Sequence, residues 1–140
     1  MRRFLLLSLM MAVCLCSFSA CKWIEGIGTT SGESLLELGK DGISTITVVS
    51  YPEAEDCTFS GEDINVITDH LSSLVLLTNF PENPDEMVGM SWVITISYEN
   101  GASATVIYFG EFIRTENRPW YKIRYTEGKR FDELLEELAG

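Results

Sequence analysis

Any chemistry in this chain would have to start from very few residues. Beyond position 21 there is one histidine, His70, and one cysteine, Cys57. A histidine can serve as a general base, but it then needs a serine or cysteine nucleophile beside it, and the spacing supplies none. His70 also falls within the apolar arc of a helical segment, so a core or boundary histidine is the stronger reading. Cys57 follows Glu55 and Asp56, whose negative charge disfavours the thiolate that a nucleophile requires. It reads as a structural residue. Glu53, Glu55 and Asp56 offer oxygens of the kind calcium prefers, yet the EF-hand spacing is missing, and three carboxylates in one turn are ordinarily solvated. No Gly-x-Ser-x-Gly, phosphate-cradling glycine loop or His/Cys metal spacing occurs. The expectation is therefore no catalytic residue, no metal and no cofactor.

Charge says more. The chain has 21 Asp and Glu against 10 Lys and Arg, a net charge of −11. Positions 41–113 hold twelve acidic residues and no basic one. The cations then gather in one stretch: Arg114, Arg118, Lys122, Arg124, Lys129 and Arg130. In "WYKIRY", Lys122 and Arg124 alternate with Tyr121, Ile123 and Tyr125, which puts both on one strand face beside Trp120. Arg114, Arg118, Trp120, Lys122 and Arg124, with Tyr108, make a candidate surface for a protein or anionic partner such as lipid headgroups or an acidic peptide. The competing reading, that these cations pair with their own acidic domain, is the stronger of the two.

The elements that would carry these residues follow from periodicity. "GISTITVVSYP" alternates and is β-branched, which predicts a strand over Ile43–Tyr51, with "CTFS" as a short second strand. Ser60 offers a helix N-cap, and Ile64, Ile67, Leu71, Leu74 and Val75 recur at helical spacing, predicting a helix over 62–77. Val66, His70 and Leu77 widen its apolar arc. Prolines then mark a loop. "SWVITISYENGASATVIYF" is two alternating runs around Asn100-Gly101, the preferred two-residue hairpin turn. With that loop Glu99 pairs with Ala102. Trp92, Ile94, Ile96 and Tyr98 then share a face with Ser103, Thr105, Ile107 and Phe109, while Val106 and Tyr108 lie opposite. "EFIRT" and "WYKIRY" continue the meander, and Phe131, Leu134, Leu135 and Leu138 stripe a C-terminal helix. The fold class is α+β: an antiparallel β meander sheet with one internal helix and a C-terminal helix packed on it.

The first twenty residues set the compartment. Arg2 and Arg3 precede an apolar stretch at 4–15, which is of signal-peptide length and too short for a membrane span. Ser17-Phe18-Ser19 fits ordinary secretory cleavage. Phe18-Ser19-Ala20-Cys21 resembles a bacterial lipobox, with Phe18 where leucine is usual, and this reading is favoured because the Gly, Ser and Thr of 22–34 suit a flexible tether. The resemblance implies a lipidated Cys21 and a membrane anchor, at ~0.8 kcal/mol per buried CH₂. The organisation is then a signal peptide over 1–20, a tether over 21–40 and one domain over 41–140. Losing Arg2 and Arg3 takes the net charge from −11 to −13. With Cys21 acylated, Cys57 has no disulfide partner.

Anchor, helix and Asn-Gly hairpin together resemble short uncharacterised bacterial lipoproteins of the Gram-positive gut type, a likeness that implies no activity. The expected function is a non-catalytic binding module, lipid-anchored on the extracytoplasmic side of the cell membrane. A small cell-envelope enzyme using His70 or the acidic residues is the alternative. An exported, strongly acidic chain excludes nucleic acid as partner.

Overall fold

Alternating runs and helical periodicity assemble into one layer of sheet under one layer of helices. The computed structural model describes residues 28–139, so Cys21 lies outside the described residues. The strands are β1 (Thr29–Ser31), β2 (Ile43–Tyr51), β3 (Asp56–Phe59), β4 (Val75–Leu77), β5 (Ser91–Tyr98), β6 (Ser103–Phe109), β7 (Phe112–Thr115) and β8 (Tyr121–Lys122). They form a single sheet in the order β1-β4-β8-β7-β6-β5-β2-β3, antiparallel throughout. The helices are α1 (Glu62–Ser73) and α2 (Tyr125–Ala139). Ile64, Ile67 and Leu71 of α1 and Phe131 and Leu135 of α2 join one core with Ile46, Val48, Ile94 and Val106 of the sheet. The α+β class, the meander of β5 to β8, and one internal and one C-terminal helix are as expected.

The central hairpin departs from expectation by one residue. Its loop is Glu99-Asn100-Gly101, closed by Tyr98 N–H donating to the Ala102 carbonyl at 2.9 Å and Gly101 N–H donating to the Tyr98 carbonyl at 2.9 Å. Gly101 takes φ 85°, and Asn100 is not among the residues of positive φ, so the two-residue turn is replaced by a turn with a glycine bulge. Side chains alternate with period two, so this single residue exchanges the faces of β6. Trp92 now stands opposite Tyr108, Ile94 opposite Val106 and Ile96 opposite Ala104. The register that the turn rule predicts would have mixed serines into the core. The observed one sets Ala104, Val106 and Tyr108 beside Ile96, Ile94 and Trp92 on the helix side, and burial prevails over the turn preference.

Three other boundaries move. The helix predicted over 62–77 stops at Ser73, and 75–77 form β4. Ser72 and Ser73 donate their hydroxyls to the carbonyls of Thr68 and His70, at 2.6 and 2.8 Å, and such back-bonding competes with helix continuation. Its N-cap is Gly61 rather than Ser60, with no side-chain cap bond. The tether expected over 21–40 is already folded from Thr29: β1 pairs with β4, a 3₁₀ turn spans Gly32–Leu35, and Leu35 and Leu36 are buried. Finally, the strand expected over "WYKIRY" is only two residues long, and α2 opens at Tyr125. That helix runs through Gly128, where a side chain would crowd the Tyr108 hydroxyl and the Gly110 carbonyl, both 3.2 Å from an added Cβ.

Candidate functional site

The sheet face away from the helices carries rows of aligned side chains. Thr58, Thr47, Thr95 and Thr105 form one row across β3, β2, β5 and β6. The Thr47 and Thr58 hydroxyls are 3.2 Å apart. The next row is apolar, Val49, Val93 and Ile107, with Asp56 at one end and Arg114 at the other. Thr45, Ser97 and Ser103 make a third. Apart from Asp56 and Arg114, the three rows hold no charge. These side chains are partly exposed or exposed, and neither helix lies over them.

One end of that face is crossed by the 78–90 loop, which is pinned at every few residues. The Phe80 ring tilts against Phe112 at 5.4 Å, and Glu82 accepts a hydrogen bond from Lys122. Pro84 is buried. Asp85 accepts from the Trp120 indole N–H at 2.9 Å and pairs with Arg114 at 3.5 Å. The Arg114 guanidinium in turn lies 4.4 Å over the Trp120 ring, a cation–π contact. Gly89 passes close to Phe109, where an added Cβ would approach the ring to 3.2 Å. A groove of about 310 Å³ remains between Met87, Gly89, Ile107, Phe109 and Trp120.

This arrangement corrects the candidate basic surface. Tyr108 is in the core, its ring edge-on to Phe131 at 5.2 Å and its hydroxyl donating to the Gly128 carbonyl at 2.9 Å. Its face follows the one-residue change in the hairpin. Arg114 and Trp120 meet at Asp85, while Lys122 pairs separately with Glu82 and with Glu111, the latter at 3.6 Å. Arg118 turns to Glu37 at 3.8 Å and Lys129 to Glu133 at 3.5 Å. Arg124 is exposed, lies past the end of β8, and joins no ion pair among the described residues. Internal pairing thus accounts for most of the cationic stretch.

The Lys122 bond holds the Glu82 carboxyl below the ordinary glutamate range. A lowered folded value means that this contribution is present above that range and lost as pH falls through the lowered value. Lys122→Glu is expected to lower the melting temperature at neutral pH, and Arg124→Glu to leave it unchanged. Equal melting temperatures for both variants would show that the Lys122 cluster contributes nothing to stability.

His70 and Cys57 border different cavities, and Asp132 shares Trp92 with the Cys57 cavity. The His70 ring stacks on Phe131 with centroids 4.9 Å apart, and its Nε2 is buried with no hydrogen-bond partner. Burial lowers its pKa, against the opposing pull of Glu127. It borders an open groove of about 560 Å³ between the helices, with Asp69, Arg130 and Glu133. Cys57 is a free thiol on a different cavity of about 110 Å³, lined by Val48, Phe59, Trp92 and Leu135 with Ser50 and Glu55. Asp132, which sequence reasoning missed, accepts from the Trp92 indole at 3.3 Å, and burial raises its pKa. The available signal was Trp92 itself, since an indole N–H on a core-facing strand position requires an acceptor. Among the described residues, no three His, Cys, Asp or Glu side chains are arranged to hold a metal ion. Compared with known protein families, curated proteins and solved structures, the chain matches none of them.

Proposed function

We propose that this chain is a lipid-anchored lipoprotein on the extracytoplasmic side of a cell membrane and acts there as a non-catalytic binding module. The observation that carries the binding role is the uncovered sheet face, where the apolar row Val49, Val93 and Ile107 runs beside the threonine row Thr58, Thr47, Thr95 and Thr105. A surface of this kind, an apolar row flanked on one side by uncharged polar rows, suits contact with another protein. His70 and Cys57 border different cavities, which weighs for binding over catalysis. The anchor rests on Phe18-Ser19-Ala20-Cys21 and the apolar leader before it. No helix among the described residues is long and apolar enough to cross a membrane.

Two measurements test the two halves of this reading. Mass spectrometry of the native protein should find acyl chains on Cys21, and an unmodified Cys21 would remove the anchor. For the binding role, a photo-crosslinking residue replaces Thr95 on the uncovered face or Val66 on α1. Irradiation in intact cells should attach one discrete protein at position 95 and none at position 66. Equal or absent crosslinking at both positions would overturn the assignment to this face.

A further inference from the structure

One end of the sheet gathers features that stability does not require. Thr29, Leu77, Lys122, Phe112 and Phe109 follow one another in one row across β1, β4, β8, β7 and β6, and the pair Ser91 and Tyr51 marks the same end of β5 and β2. This row lies at the end where the 78–90 loop crosses. The described chain begins at the same end, since Thr78 N–H donates to the Gly28 carbonyl at 2.6 Å. Large apolar side chains are exposed here: Val88 is 99% exposed at the loop apex, with Met87, Met90 and Tyr51 at 46%, 47% and 47%. The loop is no slack connection. Phe80, Glu82, Pro84, Asp85 and Gly89 each fix it to the sheet or to Trp120, so its apolar apex is held in water by an ordered support.

Resting on the anchor reading above, we propose that the apolar apex Met87, Val88 and Met90 docks this end of the domain onto the surface of the bilayer that holds the Cys21 acyl chains. Seven residue steps separate Cys21 from Gly28, and an extended chain covers at most ~3.6 Å per step, so this end stays within about 25 Å of the anchor. Tethering makes the contact intramolecular, so a weak apolar insertion is enough to orient the domain. Methionine adapts readily to an irregular apolar surface, and valine adds area without a polar group to desolvate. The charges specify which lipid. Lys122 and Arg114 are engaged by Glu82, Glu111 and Asp85, and the exposed Arg124, which follows β8 at this end, is outnumbered by the exposed Glu53, Glu55, Asp56 and Glu86. Such a surface is repelled by anionic headgroups, so the contact is apolar and favours zwitterionic lipid.

The test uses the full-length protein purified from membranes and reconstituted in phosphatidylcholine vesicles whose acyl chains carry bromine, which quenches tryptophan on contact. Val88→Trp and Val66→Trp are each read against wild type. Apolar groups lying ~5–10 Å into the interface should make quenching of Val88→Trp about twofold or more that of Val66→Trp. With phosphatidylglycerol added, quenching of Val88→Trp should fall at low salt and recover as salt screens the carboxylates. Equal quenching of the two variants, or none at position 88, overturns the docking while acylated Cys21 leaves the anchor standing. Such a result would assign the apex to a protein partner instead. Quenching that weakens with salt on anionic vesicles also overturns it, because cations would then make the contact. An unmodified Cys21 in the mass spectrum removes the anchor, and the docking with it.

Discussion

Gly32→Ala is expected to destabilise the domain by about 3 kcal/mol or more, the upper end of what overpacking a rigid site costs. Gly32 opens the 3₁₀ turn and lies against the C-terminal end of α1, where its N–H donates to the Leu74 carbonyl at 2.8 Å. An added Cβ would lie 1.9 Å from the Leu71 carbonyl oxygen and 3.0 Å from that of Leu74. Both obstacles are backbone atoms at a helix terminus, so no rotamer change relieves them. Either α1 shifts or β1 leaves β4. Urea unfolding of Gly32→Ala and wild type measures the effect through the midpoint. A midpoint within experimental error of wild type would mean that the first turn does not pack against α1 at all.

The other large loss is expected at Phe131. Phe131 is fully buried, stacks on His70 and meets Tyr108 edge-on, so one ring joins α2 to α1 and to the C-terminal end of β6. Phe131→Ala removes both aromatic contacts and leaves a cavity, a change that typically costs about 3–5 kcal/mol. Phe131→Leu keeps much of the volume and should lose clearly less. Thermal or urea unfolding of the pair separates filling from ring contact. If the two variants are equally destabilised, the aromatic geometry outweighs the cavity. If neither is, α2 does not close this core.

The fold class was legible because its two periodicities are strong. "ISTITVVSY" is rich in β-branched residues and alternates over 45–48, and Phe131, Leu134, Leu135 and Leu138 can share a face only on a helix. The boundaries that moved lie where one pattern satisfies two structures. Leu74, Val75, Leu76 and Leu77 continue the helical stripe of α1 but serve equally as a buried strand, and only the Ser72-Ser73 pair distinguishes the two. The glycines and serines before position 35 suggest a tether by composition, yet Gly32 is needed for a close backbone approach and Leu35 and Leu36 for the core. The hairpin carries the largest consequence. Asn100-Gly101 supports a loop of two residues or three, and the choice decides whether Tyr108 faces a partner or the core. The cationic stretch was legible as a cluster, but its carboxylate partners Glu82 and Asp85 sit some 30 to 40 residues away in a proline-rich loop. Proximity of that kind arises only from the sheet order.

The strand order also bears on how the chain is made. β4 reaches the rest of the sheet only through β8, a strand of two residues, by the single register pair Leu77 and Lys122. A polypeptide synthesised from its N-terminus therefore holds β1 and β4 with only each other as strand neighbours until position 122 has been added. The β5 to β7 meander needs only the neighbouring segments up to position 115, and local pairings of this kind form early. A chain truncated between positions 115 and 121 would leave a finished meander with β7 as a bare edge. The orphaned β1–β4 pair would expose a second one. Unpaired edges of this kind invite intermolecular pairing, so the last twenty or so residues guard nascent chains against aggregation as well as completing the core.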